Sequence, residues 1–177
     1  TRVESSAASD VYKRQIPAIL KRKGLFFKTA DGNSIGKHLY EDIDHWNKLR
    51  KGETIPDIQK QRLLEKIKGK PNYSLEWYNA FNNVASAKID YLRAMLLNGE
   101  KINKEPRIKV STIHGAKGGE ATNVVLFLNQ TINTMKAASK SIVKQDEEYR
   151  VWYVGVTRTI QNLYLIKCNH KQKEFII

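Results

Sequence analysis

One stretch of this chain, from Arg107 to Lys167, constrains its fold more than any other. Apolar and polar residues alternate from Ile108 to Thr112, and Val124 to Leu128 form an uninterrupted apolar run. These patterns predict two strands with a polar, glycine-rich loop between them, the second strand being buried on both faces. A helix beginning near Asp146 and a third strand at 162–167 follow. Strands and a helix in this order predict an α/β domain.

The helix near Asp146 has acidic residues at 146–148, where they would complement the positive end of the helix dipole. Its valines, Val151, Val154 and Val156, are expected to face the sheet. Glycine in a helix interior costs about 1 kcal/mol relative to alanine. Gly155 therefore predicts close packing of this helix backbone against another backbone.

The residues before this stretch are predicted to be mainly helical. One helix ends at Lys21–Lys23 with Gly24 as its left-handed cap, and Leu25–Phe27 form a short strand. Further helices are expected at 34–50 with Ser34 as N-cap, at 57–68, at 75–82 with Ser74 as N-cap, and at 86–97, which Gly99 ends. The aromatic residues Trp77, Tyr78, Phe81 and Tyr91 predict a small satellite core, and a base-stacking surface is the alternative.

The charge balance favours a polyanionic partner. The chain has 31 basic and 18 acidic residues, a net charge of +13. No apolar run approaches the roughly 20 residues that a membrane-spanning helix needs, so we expect a soluble, cytoplasmic protein, in the host cytoplasm if viral. The single cysteine, Cys168, excludes an internal disulfide, and Cys168 with His170 alone does not make a metal site.

The sequence of the first fifteen residues indicates an unusual origin for this segment. Asp10-Val11-Tyr12-Lys13-Arg14-Gln15 back-translates to GAT-GTG-TAT-AAG-AGA-CAG, which is similar to a transposon end used in library preparation. We interpret residues 1–15 as adapter-derived and expect the gene to extend upstream, with a natural polar arm as the alternative. The remaining 28 basic and 16 acidic residues still give a net charge of +12, so the basic character does not depend on this segment.

Two motifs in the main stretch resemble those of a known family. Thr112-Ile113-His114-Gly115-Ala116-Lys117-Gly118-Gly119-Glu120 resembles motif V of the superfamily 1 DNA helicases of the UvrD/Rep type. Tyr153-Val154-Gly155-Val156-Thr157-Arg158, with Glu147, Glu148 and Arg150 before it, is similar to their motif VI. The resemblance implies the C-terminal motor domain: a RecA-like (P-loop NTPase-type), mainly parallel sheet flanked by helices, with a small all-helical insertion.

The same resemblance implies roles for individual residues. The catalytic residue is expected to be Arg158, whose guanidinium can bind phosphate bidentately and stabilise transferred charge. The remaining expectations are nucleotide binding by Glu120, Gly118 and Arg158, and nucleic-acid binding by Thr112, His114 and Lys117. Without the family context, Arg158 would be a helix C-terminal cation, Glu120 a solvated loop residue and His114 a structural histidine.

The chain lacks the phosphate-cradling pattern G-x-x-x-x-G-K-[ST], and no acidic Mg²⁺-binding counterpart follows a strand. The family resemblance implies ATP with Mg²⁺ as the cofactor. Because the pattern is absent here, we expect the Mg²⁺ to be held by an N-terminal RecA-like lobe and no metal to be bound by this chain. Gly119, Ala121 and Thr159 depart from the family pattern, in which a leucine, an aromatic residue and an alanine are usual. The first two weaken any expectation about adenine packing, and none removes a charged group.

We expect residues 16–51 to form the first part of the second RecA-like domain, 52–104 the helical insertion and 105–177 the remainder. Residues 46–53 resemble the segment before this insertion in phage-type and bacterial relatives. The implied function is ATP-driven translocation on single-stranded DNA and unwinding of duplex DNA, which requires the N-terminal lobe of the same protein. The alternatives are a nucleic-acid-binding module without ATPase activity and a scaffold in a nuclease–helicase or repair assembly.

Overall fold

The computed structural model describes residues 2–5, 10–167 and 175, with side chains from Gln15 onward. Two compact units divide the chain. The first, called the sheet unit below, falls within residues 1–19, 27–32 and 106–177. The second, called the helical unit, falls within residues 20–26 and 33–105.

A six-stranded sheet organises the described part of the sheet unit. Its strands are β1 (Arg2–Ser5), β2 (Phe27–Thr29), β3 (Gly32–Asn33), β4 (Ile108–Thr112), β5 (Ala121–Phe127) and β6 (Thr159–Ile166). They lie in the order β3-β2-β4-β1-β5-β6, and the ladders β2–β4, β4–β1, β1–β5 and β5–β6 are parallel. With helices α1 (Asp10–Arg22), α6 (Ile132–Lys140) and α7 (Ile142–Val156), the fold is mixed α/β, as predicted.

Strand β2 begins two residues later than its apolar sequence predicts. Phe27 pairs with Ile108 and Lys28 with Lys109, whereas Phe26 is buried without belonging to the strand. An apolar run shows which residues are buried, but the pairing partner decides where a strand starts. The effect is to place Lys28 and Thr29 at the carboxyl end of β2.

Helix α7 also starts earlier than predicted. Its N-cap is Ser141, whose Oγ accepts the Lys144 N–H at 3.4 Å, and its first turn has no acidic residue. The interpretation of residues 146–148 as dipole-complementing residues at the helix start is therefore wrong. Glu147 instead accepts a hydrogen bond from the Lys144 Nζ at 2.6 Å on the exposed surface.

The core of the sheet unit lies between α7 and β5. It contains Ile113, Val124, Leu126, Leu128 and Trp152, and the three valines of α7 pack against it as predicted. Buried Val124 and Leu126 on β5, and Leu128 directly after it, alternate with half-buried residues, so one face of this strand is less buried than predicted.

Gly155 of α7 faces two side chains of this core. A Cβ atom there would lie 3.2 Å from the Ile113 Cδ1 and 3.4 Å from the Leu126 Cδ1. The glycine thus admits two side chains rather than another backbone, which corrects the prediction.

The helical unit contains α2 (Lys37–Arg50), α3 (Asp57–Leu64), α4 (Trp77–Ala80) and α5 (Ser86–Leu97). The bounds of α5 are those predicted, and Gly99 follows it with φ of +69°. Trp77, Phe81 and Tyr91 are buried and Phe81 meets Trp46 edge-on at 5.9 Å, so the satellite-core interpretation is confirmed for these aromatic residues. Tyr78 is half-buried beneath the Arg93 guanidinium at 4.2 Å.

Both serine N-caps predicted for this unit are wrong. Helix α2 starts after Gly36 without a side-chain cap, while the Ser34 hydroxyl lies 2.6 Å from the Tyr91 hydroxyl. Helix α4 starts after Glu76, and the Ser74 N–H donates to the Asn72 Oδ1 at 3.0 Å. In each case a hydrogen bond outside the helix occupies the serine, because short polar residues serve turns as readily as caps.

The compact units divide the chain differently from the predicted domain boundaries. Helix α2, which we assigned to the first part of the second RecA-like domain, belongs to the helical unit. Residues 2–5, which we set aside with the adapter-derived segment, form β1 between β4 and β5. The domain assignment and the origin of residues 1–15 both stay predictions. Among the described residues, no helix has the length and apolar character required to cross a bilayer.

Candidate functional site

The loop between β4 and β5 is held by its own backbone and two buried side chains. The Thr112 Oγ1 accepts the Gly115 N–H at 3.1 Å, and a 3-10 turn follows at His114–Ala116. Ile113 and Ala116 are buried beneath this turn, whereas His114 and Lys117 are exposed. The loop is thus anchored from below and presents polar side chains above.

Gly118 provides the reversal that the rest of this loop requires. Its φ is +80°, a conformation that L-residues with a Cβ rarely adopt, and nothing lies within 4 Å of a Cβ built there. The need for glycine here is therefore conformational. Its predicted role in nucleotide binding stays a prediction.

The two ends of this loop lie at opposite ends of the sheet. Ser5 is in register with both Thr112 on β4 and Phe127 on β5, so Thr112 lies level with the carboxyl end of β5. Glu120 immediately precedes Ala121, the first residue of β5. Ala121 and Phe127 are six residue steps apart along β5, which corresponds to about 20 Å at 3.3 Å per residue.

Arg158 shares the amino end of the sheet with Glu120. The Ala121 N–H donates to the Arg158 carbonyl at 3.0 Å, and Ala121 is in register with Thr159. The residues immediately before β5 and β6, Glu120 and Arg158, therefore start from the same edge. The structure brings these two predicted residues together and separates them from Thr112.

The Arg158 side chain is partly held by the end of α7. Its Nε donates to the Val154 carbonyl at 3.1 Å, and its Nη2 donates to the Thr157 Oγ1, also at 3.1 Å. It therefore caps the helix, as the alternative interpretation expects. A guanidinium has five N–H groups, so these two bonds fix its direction and leave donors for an anion. Arg158 makes no ion pair with any described residue, and its donor set fits a phosphate group.

A cavity of about 550 Å³ lies at the carboxyl ends of β2 and β4. Its lining includes two lysines and three hydroxyl residues: Lys28, Lys109, Thr29, Ser111 and Thr112. Ammonium and hydroxyl groups suit phosphate oxygens, although the Asp31 carboxylate also lines the cavity and would oppose an anion. His114 and Lys117 are not in its described lining, so of the predicted nucleic-acid residues only Thr112 belongs to it.

Sequence reasoning missed Lys28, Thr29 and Ser111. A usable signal existed, because carboxyl ends of neighbouring parallel strands meet at one edge of a sheet. The sequence did not show that β2 and β4 are neighbours, since almost eighty residues separate them.

Glu148 is a second residue whose environment the sequence did not reveal. It is half-buried on α7 and accepts the Trp152 Nε1–H at 2.9 Å. Burial raises the pKa of this carboxyl, while the Trp152 hydrogen bond and the charge of nearby His114 lower it. Glu148 therefore links α7 electrostatically to the exposed histidine of the β4–β5 loop.

The described residues contain no cluster of three or more histidine, cysteine or carboxylate side chains placed to hold a metal ion. Cys168 and His170, weighed as a metal pair above, lie outside the described residues.

Comparison with known proteins gives two results. Residues 59–170 match the model of the UvrD-like helicase C-terminal domain. A protein of Mycoplasma capricolum subsp. capricolum named "Probable DNA helicase II homolog" is 28% identical over 147 residues. That alignment covers 80% of this chain and 20% of the relative, so the chain spans about a fifth of the relative's length.

Proposed function

Because the chain belongs to the UvrD-like superfamily 1 helicase C-terminal domain family, we propose that it is the second RecA-like motor domain of an ATP-dependent DNA helicase. The nucleotide would be bound at the amino end of the sheet, where Glu120 and Arg158 immediately precede the paired strands β5 and β6. Single-stranded DNA would be bound at the carboxyl end, beside Thr112. The N-terminal lobe of the same protein would supply the phosphate cradle and hold Mg²⁺.

The side chains at the amino end have the chemistry that the nucleotide role needs. ATP, when bound, supplies the terminal phosphoryl group whose transfer to water releases free energy. Arg158 would stabilise the negative charge on that group with the guanidinium donors not used on α7. Glu120, an exposed carboxylate, would accept hydrogen bonds from ribose hydroxyls.

The side chains at the carboxyl end suit a sugar–phosphate backbone. Among the described residues, the Thr112 Oγ1 accepts a hydrogen bond from the Gly115 N–H and donates none, so its O–H proton is available for donation. Lys28 and Lys109 place positive charge beside it, and exposed His114 and Lys117 add further donors on the same loop. Contacts of this kind position a strand without reading its sequence.

Helix α7 offers a route between the two ends. Ile113, which lies between Thr112 and His114, packs against Gly155 of α7. The preceding residue of α7, Val154, accepts the Arg158 hydrogen bond with its carbonyl. A shift of Arg158 on nucleotide binding would therefore displace α7 and, through it, Ile113 next to Thr112. As the cleft between the two lobes opens and closes, the DNA contacts of this lobe would then alternate with those of the N-terminal lobe.

The observation that carries this proposal is the hydrogen bond of 3.0 Å between Ala121 and Arg158, because it fixes Glu120 and Arg158 at one end of the sheet. In the full-length protein, Arg158→Ala should lower DNA-stimulated ATP turnover by about a thousandfold, as expected for loss of an arginine that stabilises phosphoryl transfer. Nucleotide affinity, measured with a fluorescent analogue, should change far less.

Arg158→Lys keeps the charge but loses the bidentate geometry, so its turnover should fall between wild type and Arg158→Ala. The matched control is Lys144→Ala, which removes an exposed cation from the first part of α7. Turnover near wild type in Arg158→Ala would contradict the role of Arg158. DNA binding with no ATPase activity in the wild-type full-length protein would favour a binding or scaffold module.

A further inference from the structure

The helical unit has an open groove that the proposed motor function does not use. The groove has a volume of about 930 Å³, towards the upper end of the range of about 300–1,000 Å³ found for ligand pockets. It is lined by the end of α2 and the loop before α4: Asn47, Arg50, Lys51, Pro71, Asn72, Tyr73 and Ser74. It therefore combines an aromatic ring, two amides, a hydroxyl and two cations.

The Tyr73 ring has a fixed position in this groove. Its centroid lies 5.1 Å from that of Trp46 with an interplanar angle of 34°. Trp46 is fully buried and its Nε1–H donates to the Leu75 carbonyl at 3.0 Å, which ties the loop to α2. Tyr73 remains half-buried and is one of the residues that line the groove, so the ring in contact with Trp46 also borders the groove.

The cations of the groove differ in what they can still bind. Arg50 is paired with Glu76 at 2.7 Å, and its side chain is 26% exposed. Lys51 is exposed and makes no ion pair within the described part of the chain. Lys51 is thus the cation available to a phosphate, while Arg50 contributes mainly to holding the groove together.

We propose that this groove binds a short segment of single-stranded nucleic acid, with a base stacked on Tyr73 and a backbone phosphate on Lys51. Stacking on an aromatic ring is indifferent to base identity and requires an unpaired base. The side chains of Asn47, Asn72 and Ser74 can donate and accept hydrogen bonds, as the polar edge of a base requires. A duplex hides its base faces, and an acidic peptide would use Lys51 but has no need of the ring.

The net charge of the helical unit favours the same ligand. Its 16 basic and 10 acidic residues give a net charge of +6 without any contribution from the sheet unit. The groove shares no lining residue with the cavity beside Thr112 and would bind nucleic acid whether or not the motor proposal holds.

The test is fluorescence anisotropy with a labelled oligothymidylate and the 177-residue chain. Tyr73→Leu keeps apolar bulk against Trp46 but removes the stacking ring, and should weaken binding by about five- to tenfold. Lys51→Ala should weaken binding and flatten the plot of log affinity against log salt by about 0.7, the contribution of one phosphate contact on a single strand. Tyr73→Phe keeps the ring and should bind like wild type.

The control is Lys101→Ala, which removes an exposed lysine of the same unit that is not among the groove residues. Circular dichroism would first establish that each variant is folded. Wild-type affinity and salt slope in both Tyr73→Leu and Lys51→Ala would overturn the proposal, as would displacement of the oligonucleotide by polyglutamate at equal charge. If Thr112→Val lost binding while Tyr73→Leu and Lys51→Ala kept it, the proposed groove site would be wrong, whereas the proposed DNA contact of the sheet unit would be supported.

Discussion

At the scale of single residues, Glu148 shows how a neighbour changes a side chain's chemistry. Its sequence neighbours, Asp146 and Glu147, are exposed, whereas Glu148 is half-buried and bonded to the Trp152 indole. Burial penalises the charged form and raises the pKa of Glu148 above its ordinary value of 4.5. Glu148 therefore differs from its two acidic neighbours in both burial and bonding.

This environment predicts a specific pH dependence of stability. Between the ordinary pKa of Glu148 and its raised folded-state pKa, the folded state binds more protons than the unfolded state. The free energy of unfolding should therefore fall as pH rises through that window. Glu148→Gln keeps an oxygen that can accept the Trp152 N–H and cannot ionise, so it should remove this fall and be more stable than wild type at neutral pH.

Urea unfolding at several pH values above and below 4.5 measures this effect. Glu147→Gln is the matched control, since Glu147 is exposed and pairs only with Lys144 among the described residues. An unchanged pH slope in Glu148→Gln would show that burial of this carboxyl does not affect stability.

At the scale of elements, the contact between α7 and the β4–β5 loop is made by Ile113 and Gly155. Ile113 is 1% exposed and meets the helix at Gly155, where a Cβ would come within 3.2 Å of its Cδ1. An alanine at this position gains helix propensity but requires Ile113 to move by a few tenths of an ångström. The two effects oppose each other, so the sign depends on Ile113.

A double-mutant cycle separates these effects. Gly155→Ala should stabilise an Ile113→Val background by up to about 1 kcal/mol, because the Cδ1 atom is gone and only the helix-propensity gain remains. In the wild-type background the clash should cancel most of that gain. The expected coupling is about 0.5 kcal/mol or more in favour of the double variant.

Urea midpoints of the four proteins provide the measurement. Equal effects of Gly155→Ala in the two backgrounds would mean that Ile113 adapts without cost. Helicase assays of the same variants in the full-length protein would then show whether this contact also transmits motion.

The helices also show which features of secondary structure the local sequence can locate. Helix-forming composition and the stop at Gly99 located α5 at its observed bounds, and one face of that helix carries the buried residues Ile89, Leu92 and Met95. The local sequence did not locate α6, in which the described structure buries no residue. Helix starts were also misplaced at Ser34 and Ser74, because a cap depends on what else competes for the hydroxyl or backbone N–H.

At the scale of the whole molecule, the chain has two compact units with their own buried residues. Leu126 and Trp152 belong to the core of the sheet unit, and Leu92 and Trp46 are buried in the helical unit. The positive charge is also divided, with +7 on the sheet unit and +6 on the helical unit. Nucleic-acid affinity is therefore expected to draw on both units.

Two matched core substitutions should affect different parts of the molecule. Leu126→Ala and Leu92→Ala each remove a side chain that is 0% exposed, at an expected cost of about 2–5 kcal/mol. Hydrogen exchange should show the larger loss of protection in the sheet unit for Leu126→Ala and in the helical unit for Leu92→Ala.

Leu97→Ala is the control for this pair, because Leu97 is 85% exposed and its truncation should change stability by less than about 0.5 kcal/mol. Uniform loss of protection across both units in each core variant would mean that the two cores unfold as one. The compact units would then have no separate stability.

The sequence alone determined the family, the α/β class and the helical character of the middle segment. These follow from local patterns and from side-chain chemistry, which a chain carries regardless of its fold. The roles of Arg158 and Glu120 stay predictions that the family resemblance implies. Only the tertiary structure decided that Glu120 and Arg158 precede neighbouring strands at one edge of the sheet, while Thr112 lies beside Lys28 at the opposite edge, about 20 Å along the strands. Strand neighbours are chosen by pairing between distant residues, and no period along the chain records that choice.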